Sequence, residues 1–91
     1  MLALLCRNRV ADFERWKSVF ASHAEAHRSA GLLLQGVWRE RDRANEVFFL
    51  FEVRDPAKAR EFIRAPEAAA AGRSSGVLEG EYHFLDSAPG Y

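Results

Sequence analysis

Hydrophobic and polar positions follow two periods along this chain, and the change from one to the other marks six elements. Val47-Phe48-Phe49-Leu50-Phe51, followed by Glu52-Val53, is short and apolar nearly throughout. A strand sends successive side chains to opposite faces, so both faces of this one are oily. Leu2 to Arg9, Leu32 to Arg41, Glu46 to Val53 and about Val77 to Leu85 read as the four strands, with Asp42-Arg43-Ala44-Asn45 joining the second to the third as a hairpin. Between the first two strands Phe13, Trp16, Phe20, His23, His27 and Ala30 recur at spacings of three and four. That spacing predicts a helix with one buried stripe, aromatic at its start and imidazole at its end. Asp12 stands at its cap, Glu14 in its first turn and Gly31 after its end. Asp55-Pro56 opens a second helix carrying Ala59, Phe62 and Ile63 inward. Pro66 interrupts it, a piece from Ala68 to Ala71 continues to Gly72, and Arg73-Ser74-Ser75-Gly76 leads into the last strand. The tail from Asp86 to Tyr91 is expected to be irregular, with Tyr91 free to lie against a partner.

Strand, helix, strand, strand, helix, strand is the ferredoxin-like βαββαβ plan: an α+β domain with a four-stranded antiparallel sheet and both helices on one face. Alternation places Val47, Phe49, Phe51 and Val53, and Leu78, Tyr82 and Phe84, beneath the helices. The opposite face carries Phe48, Leu50 and Glu52, and Glu79, Glu81, His83 and Leu85. Two helical layers cover only one face, so the other is expected to meet a second copy of the chain, enclosing a cavity with apolar walls and a few polar groups.

Composition narrows the function classes. At 91 residues the chain is one domain, 1–91, and its 48% hydrophobic and 29% charged residues are ordinary globular usage. Lys+Arg and Asp+Glu balance at 13 each, so no net field draws nucleic acid or an anionic membrane. Cys6 is the only cysteine, which excludes an internal disulfide and CxxC chemistry and reads as a small buried hydrophobe. The opening Met1-Leu2-Ala3-Leu4-Leu5-Cys6 lacks the charged leader and length of a secretory core, and no segment reaches the ~20 apolar residues of a spanning helix. A soluble, cytoplasmic protein without a cofactor fingerprint is expected.

Val10-Ala11-Asp12-Phe13-Glu14-Arg15-Trp16-Lys17, Phe20, His23, Gly31, Asn45-Glu46-Val47 before a strand ending in Glu52, and Glu81-Tyr82-His83-Phe84-Leu85 together resemble the small dimeric α+β barrel proteins. The likeness covers nearly the whole chain and is nearest to the branch grouped with antibiotic-biosynthesis monooxygenases and often labelled cyclase-like. It implies a homodimer of two sheets packed face to face, with a pocket at the sheet face or between sheet and helices. It also implies a choice among cofactor-free oxygenases of polycyclic phenols, haem-degrading enzymes, isomerases and stress proteins, a choice that fold alone does not make. In the cofactor-free oxygenases asparagine, tryptophan and arginine surround the phenol; Asn8 and Trp38 are the nearest counterparts. Leu34-Gln35-Gly36-Val37-Trp38-Arg39 also has a superficial likeness to the acylphosphatase signature, but it lies inside a strand with no helix N-terminus behind it to hold a phosphate.

Three groups of residues carry candidate chemistry. His83 shares its face with Glu81 and, across the sheet, with Glu52; a histidine beside a carboxylate in an apolar cavity is a general base for a phenol or an acidic carbon. The plainer reading is a polar pair at a dimer seam. Trp38 and Arg39 point to opposite faces, so the cavity gains either a flat aromatic surface or an anion clamp, beside Phe48 and Leu50. His23 and His27, four apart on one helix face, have the spacing of two metal ligands, yet Glu25 lies about 200° round from His23 and the order is not that of the metalloprotease motif. Histidines bridging core and water are the commoner case, and no metal is expected. Three functions stay open: a cofactor-independent, monooxygenase-like or cyclase-like enzyme acting on an aromatic or polyketide-like molecule with His83 as base and Glu52 as its partner; a non-catalytic, small-ligand-binding or stress-associated dimer; and a structural interaction module.

Overall fold

The computed structural model describes the whole chain, Met1 to Tyr91. Its elements are β1 (Leu2–Val10), α1 (Phe13–Ser22), α2 (Ala24–Ser29), β2 (Leu32–Glu40), β3 (Arg43–Val53), α3 (Pro56–Arg64), α4 (Pro66–Ser74) and β4 (Val77–Asp86). The strands form one antiparallel sheet in the order β2-β3-β1-β4, the ferredoxin-like arrangement. The oiliest strand, β3, therefore sits inside the sheet.

Register assigns the faces. Leu4 lies opposite Phe51, Cys6 opposite Phe49 and Asn8 opposite Val47 on the helix side, while Leu5 faces Leu50 and Arg7 faces Phe48 on the open side. Leu4, Cys6, Val10, Trp16, Leu32, Val47, Phe49, Phe51 and Ala59 form the buried core. Trp16 is its centre: its indole stacks on Phe20 at 4.6 Å and meets Phe49 at 5.5 Å between ring centroids. Such pairs add to the burial of large apolar area. The stripe of Phe13, Trp16, Phe20, His23, His27 and Ala30 does face the sheet, each residue buried or half-buried.

Three details differ from the expectation. The first helix is two. At the joint the His23 N–H turns to the Phe20 carbonyl at 3.1 Å, and the Val19 carbonyl accepts instead from Ser22 Oγ at 2.6 Å and His23 Nδ1 at 2.8 Å. Side chains have taken the acceptor that a continuing helix would use. The β2–β3 connection is shorter, with only Arg41 and Asp42 between the strands. Leu78 is not beneath the helices: β1–β4 pairing passes from Arg9↔Glu79 to Val10↔Val77, so Leu78 is the extra residue of a bulge and is 58% exposed. Tyr91, in the tail, is fully exposed within the single chain.

The interruption at Pro66 is observed, and the piece beyond it is a full helix, α4, with no buried residue. Arg15 of α1 ties down its far end, Nε donating to the Ser74 carbonyl at 2.7 Å and a terminal nitrogen to the Arg73 carbonyl at 3.3 Å. Gly31 turns α2 into β2 with φ +75°, and a Cβ there would stand 2.9 Å from the Asp55 backbone nitrogen, so glycine meets both a conformational and a steric demand. Asp55 caps α3 as expected, accepting from the Lys58 N–H at 3.1 Å with Pro56 in the first turn. Asp55→Ala should cost about 1 kcal/mol in urea unfolding; an unchanged midpoint would show that the cap is replaced by water at no cost.

Candidate functional site

Between the sheet and the helices lies a cavity of about 110 Å³. Leu4, Cys6, Phe49 and Phe51 form its sheet wall, Trp16 and Phe20 come from α1, and Phe62, Ala68 and Ala71 close it from α3 and α4. The walls are mainly aromatic because the helix stripe and the inward positions of β3 are both rich in phenylalanine.

Polar groups enter this oily space at a few places. Asn8 is buried, and one orientation of its carboxamide satisfies both ends: the oxygen accepts from Trp16 Nε1 at 3.1 Å and the nitrogen donates to the Arg7 carbonyl at 3.1 Å. The asparagine thereby fixes the indole, and a buried amide is left with no unmet demand. Its neighbour across the sheet is Gly80; a Cβ there would stand 3.1 Å from the Asn8 carboxamide and 3.8 Å from the Tyr82 hydroxyl. Tyr82 also lines the cavity, and burial, then the neighbouring Cys6 thiol, raises its phenol above the ordinary range. Burial pushes the Cys6 thiol itself up to about 12, which keeps it protonated and inert.

The two histidines complete the lining. A carbonyl can only accept, so the 2.8 Å contact between His23 Nδ1 and Val19 O places a proton on Nδ1 and leaves Nε2 of the neutral ring with a lone pair. His27 packs its ring against Phe20, Phe51 and Phe62 at 4.9, 5.2 and 5.5 Å. Burial among these rings, with His23 adding repulsion, lowers its pKa to about 4, so it is neutral at physiological pH. The two rings are 6.5 Å apart. No group of three or more His, Cys, Asp or Glu side chains converges as a metal site would require.

The open face holds a different set. Leu5, Phe48 and Leu50 are half-buried there, and Trp38 and Leu85 are 53% and 43% exposed. The Trp38 ring lies over Gly36, where a Cβ would meet it at 2.6 Å. At one end of this face Arg7 binds Glu46, Glu79 and Glu81, the last at 2.7 Å. These hydrogen bonds hold the guanidinium charged, and Arg7, then His83, holds the Glu81 carboxyl below its ordinary range.

The expected site residues are therefore divided between two faces. His83 and Glu81 meet at 3.3 Å on the open face. Glu52 does not join them: it pairs with Arg54 at 2.9 Å and lies two strands from His83, with β1 between. Trp38, Phe48 and Leu50 share the open face, whereas Asn8 belongs to the cavity under the helices. Arg39 is also on the helix side, its guanidinium 4.0 Å over the Phe13 ring. Trp16, Tyr82, His23 and His27, which line the cavity, had appeared in the sequence as helix stripe and strand alternation; the stripe's change from aromatic to imidazole was the available signal.

No family model matches the chain, and no curated protein matches it in sequence. Its fold does match solved structures over nearly the full length. SnoaB, a cofactor-independent oxygenase from Streptomyces nogalater, is 22% identical with a TM-score of 0.76, covering 96% of this chain and 92% of SnoaB. An uncharacterized NIPSNAP domain protein from Burkholderia xenovorans is 17% identical with a TM-score of 0.70, over 100% and 98%. A structure described as an antibiotic biosynthesis monooxygenase is 14% identical with a TM-score of 0.71, over 98% and 100%. At these identities the likeness is one of fold: a ferredoxin-like α+β domain with a four-stranded antiparallel sheet. No helix is long and apolar enough to cross a membrane.

His27 makes the fold sensitive to pH in a defined direction. Its ordinary value is 6.5 and its folded value about 4, so between these the unfolded chain binds more protons and stability falls as pH falls through the window. Urea unfolding at steps from pH 7 to 4 should show this loss, and His27→Leu should flatten it. An equally steep loss in the variant would assign the effect to other groups.

Proposed function

We propose that this protein is a homodimeric, cofactor-independent enzyme of the antibiotic-biosynthesis-monooxygenase type, acting on a small phenolic molecule held between its sheet and its helices. The observation that carries this reading is the cavity itself: aromatic walls, with His23 Nε2, neutral His27 and Tyr82 as its polar groups. A volume near 110 Å³ limits the occupant to about one aromatic ring, being below the ~150 Å³ of a dry cavity that accepts benzene.

His23 is the base in this reading. Tethered through Nδ1 to its own helix, it presents Nε2 to a phenol hydroxyl, and His27 donates a hydrogen bond to the phenolate that forms. The electron-rich ring then reduces dioxygen directly. Conversion of a para C–H of a phenol to a quinone carbonyl consumes one dioxygen and releases one water, the ring supplying all four electrons. Asn8 acts at one remove by holding Trp16.

The open face supplies the dimer. Phe48, Leu50, Trp38 and Leu85 would be covered by the same residues of a second copy, as a two-fold interface requires, and the Arg7 cluster and the His83–Glu81 pair would stand at the seam. Phe48→Asp should then give a folded monomer in size-exclusion chromatography coupled to light scattering; a wild-type monomer at tens of micromolar would refute the sheet-to-sheet arrangement.

Oxygen uptake with a panel of single-ring phenols and hydroquinones, beside ring-binding followed by tryptophan fluorescence, tests the chemistry. His23→Ala should lower turnover by about 10²-fold or more while binding persists. Unchanged turnover in that variant would remove His23 from the mechanism. Saturable binding with no turnover of any phenol would instead support the second reading, a ligand-binding dimer, which the absence of a strong carboxylate partner for His23 favours.

A further inference from the structure

A second cavity flanks α1 and is used by none of the chemistry above. It is a groove of about 670 Å³ between α1–α2 and the edge strand β2, within the range of small-molecule sites. Trp16, Phe20, His27 and Leu32 line both it and the aromatic cavity and form their common wall. Leu34 and Val37 lie opposite Phe51 and Phe49 and so point to the helix side, yet they remain 47% and 38% exposed, forming an uncovered apolar floor.

The charged lining of the groove has one sign. Lys17, Arg28 and Arg39 line it and no carboxylate does, in a chain whose cations and anions balance at 13 each. Arg28 is paired with Glu25. Arg39 is in no ion pair, but it is held in place: its guanidinium stacks 4.0 Å over Phe13 and Nε donates to the Ala44 carbonyl at 2.8 Å. Its terminal nitrogens are thus fixed and without an anion. Lys17 stands one helical turn beyond Phe13 and likewise has no ion-pair partner among those formed. From this cationic end the groove continues along Ala21 and Ala24 on the helix and back to Leu33 on the strand, ~20 Å at ~3.3 Å per strand residue.

We propose that this groove binds a medium-chain acyl carboxylate, with the carboxylate between Lys17 and Arg39 and the chain over Leu34 and Val37. A planar guanidinium that is already oriented suits a carboxylate in two-point contact. The long apolar run beyond it excludes short or multiply charged anions, which would leave Leu34 and Val37 wet. The groove shares a wall with the phenol cavity, but its cationic end and its floor, Lys17, Arg39, Leu34 and Val37, do not line that cavity, and the proposal does not need that cavity to be catalytic.

Isothermal titration calorimetry of the full chain with octanoate, beside 1-octanol, tests the proposal. Octanoate should bind saturably at one per protomer, at least tenfold tighter than octanol, and should weaken as salt rises. The double variant Lys17→Gln/Arg39→Gln should lower octanoate affinity about tenfold or more and leave octanol unchanged. Lys17→Glu, at an exposed position, is the companion variant that preserves folding and should weaken octanoate in the same sense. Methyl NMR shifts at Leu34 and Val37 on titration locate the chain. Absence of saturable binding, equal affinity for octanol, or insensitivity to the Lys17 and Arg39 variants would overturn it, the last meaning that octanoate enters the aromatic cavity instead. Displacement of a dimer by octanoate would also overturn it, showing the groove to be a contact between copies.

Discussion

A strand that is apolar on both faces has to be covered twice, and here its own chain supplies one cover. β3 lies inside the sheet, so Val47, Phe49, Phe51 and Val53 are sealed beneath the helices, while Phe48 and Leu50 on the other side are only half-buried. At roughly 25 cal/mol per Å² of apolar area removed from water, large side chains left half-wet are a standing drive toward association. The constraint also shapes the helix layer. Because the middle of β3 offers Phe49 and Phe51 to the helices, the space between them is lined by rings that stack and tilt but do not fill it, and the cavity is the remainder.

Inside that remainder Asn8 and His23 are satisfied by separate partners and not by one another. Asn8 serves Trp16, and His23 serves the Val19 carbonyl at the joint between α1 and α2. The break in the helix and the Nδ1 proton of the histidine are therefore one event: the side chain that ends α1 donates from Nδ1 to the carbonyl it takes from the helix. His27, one turn on, has rings for neighbours, and its neutrality follows from them.

Much of the fold could be read from periodicity. Strand alternation assigned Phe49 and Phe51 inward and Phe48 and Leu50 outward, and the helix stripe from Phe13 to Ala30 faces the sheet. The departures arise where one residue changes the count. Leu78 was assigned inward because alternation assumes regular pairing, and a bulge is invisible to it. His83 and Glu52 were paired because both are on the open face, but a shared face does not measure distance, and β1 lies between them. Asn8 was recognised as a polar group near the site, whereas its partner Trp16 looked like ordinary core; the hydrogen bond between them joins a strand to a helix, and no spacing along the chain encodes it.

α4 has a consequence for how such a pocket changes over evolutionary time. This helix has no buried residue and is held at its end by Arg15 binding the carbonyls of Ser74 and Arg73. Ala68 and Ala71 nevertheless form part of the cavity wall. Alanine loses no side-chain entropy on folding and anchors little, so exchanging these positions for larger residues alters the shape presented to a ligand while disturbing few of the interactions that hold the domain together. The part of the wall that α4 contributes can drift without disturbing the core centred on Trp16.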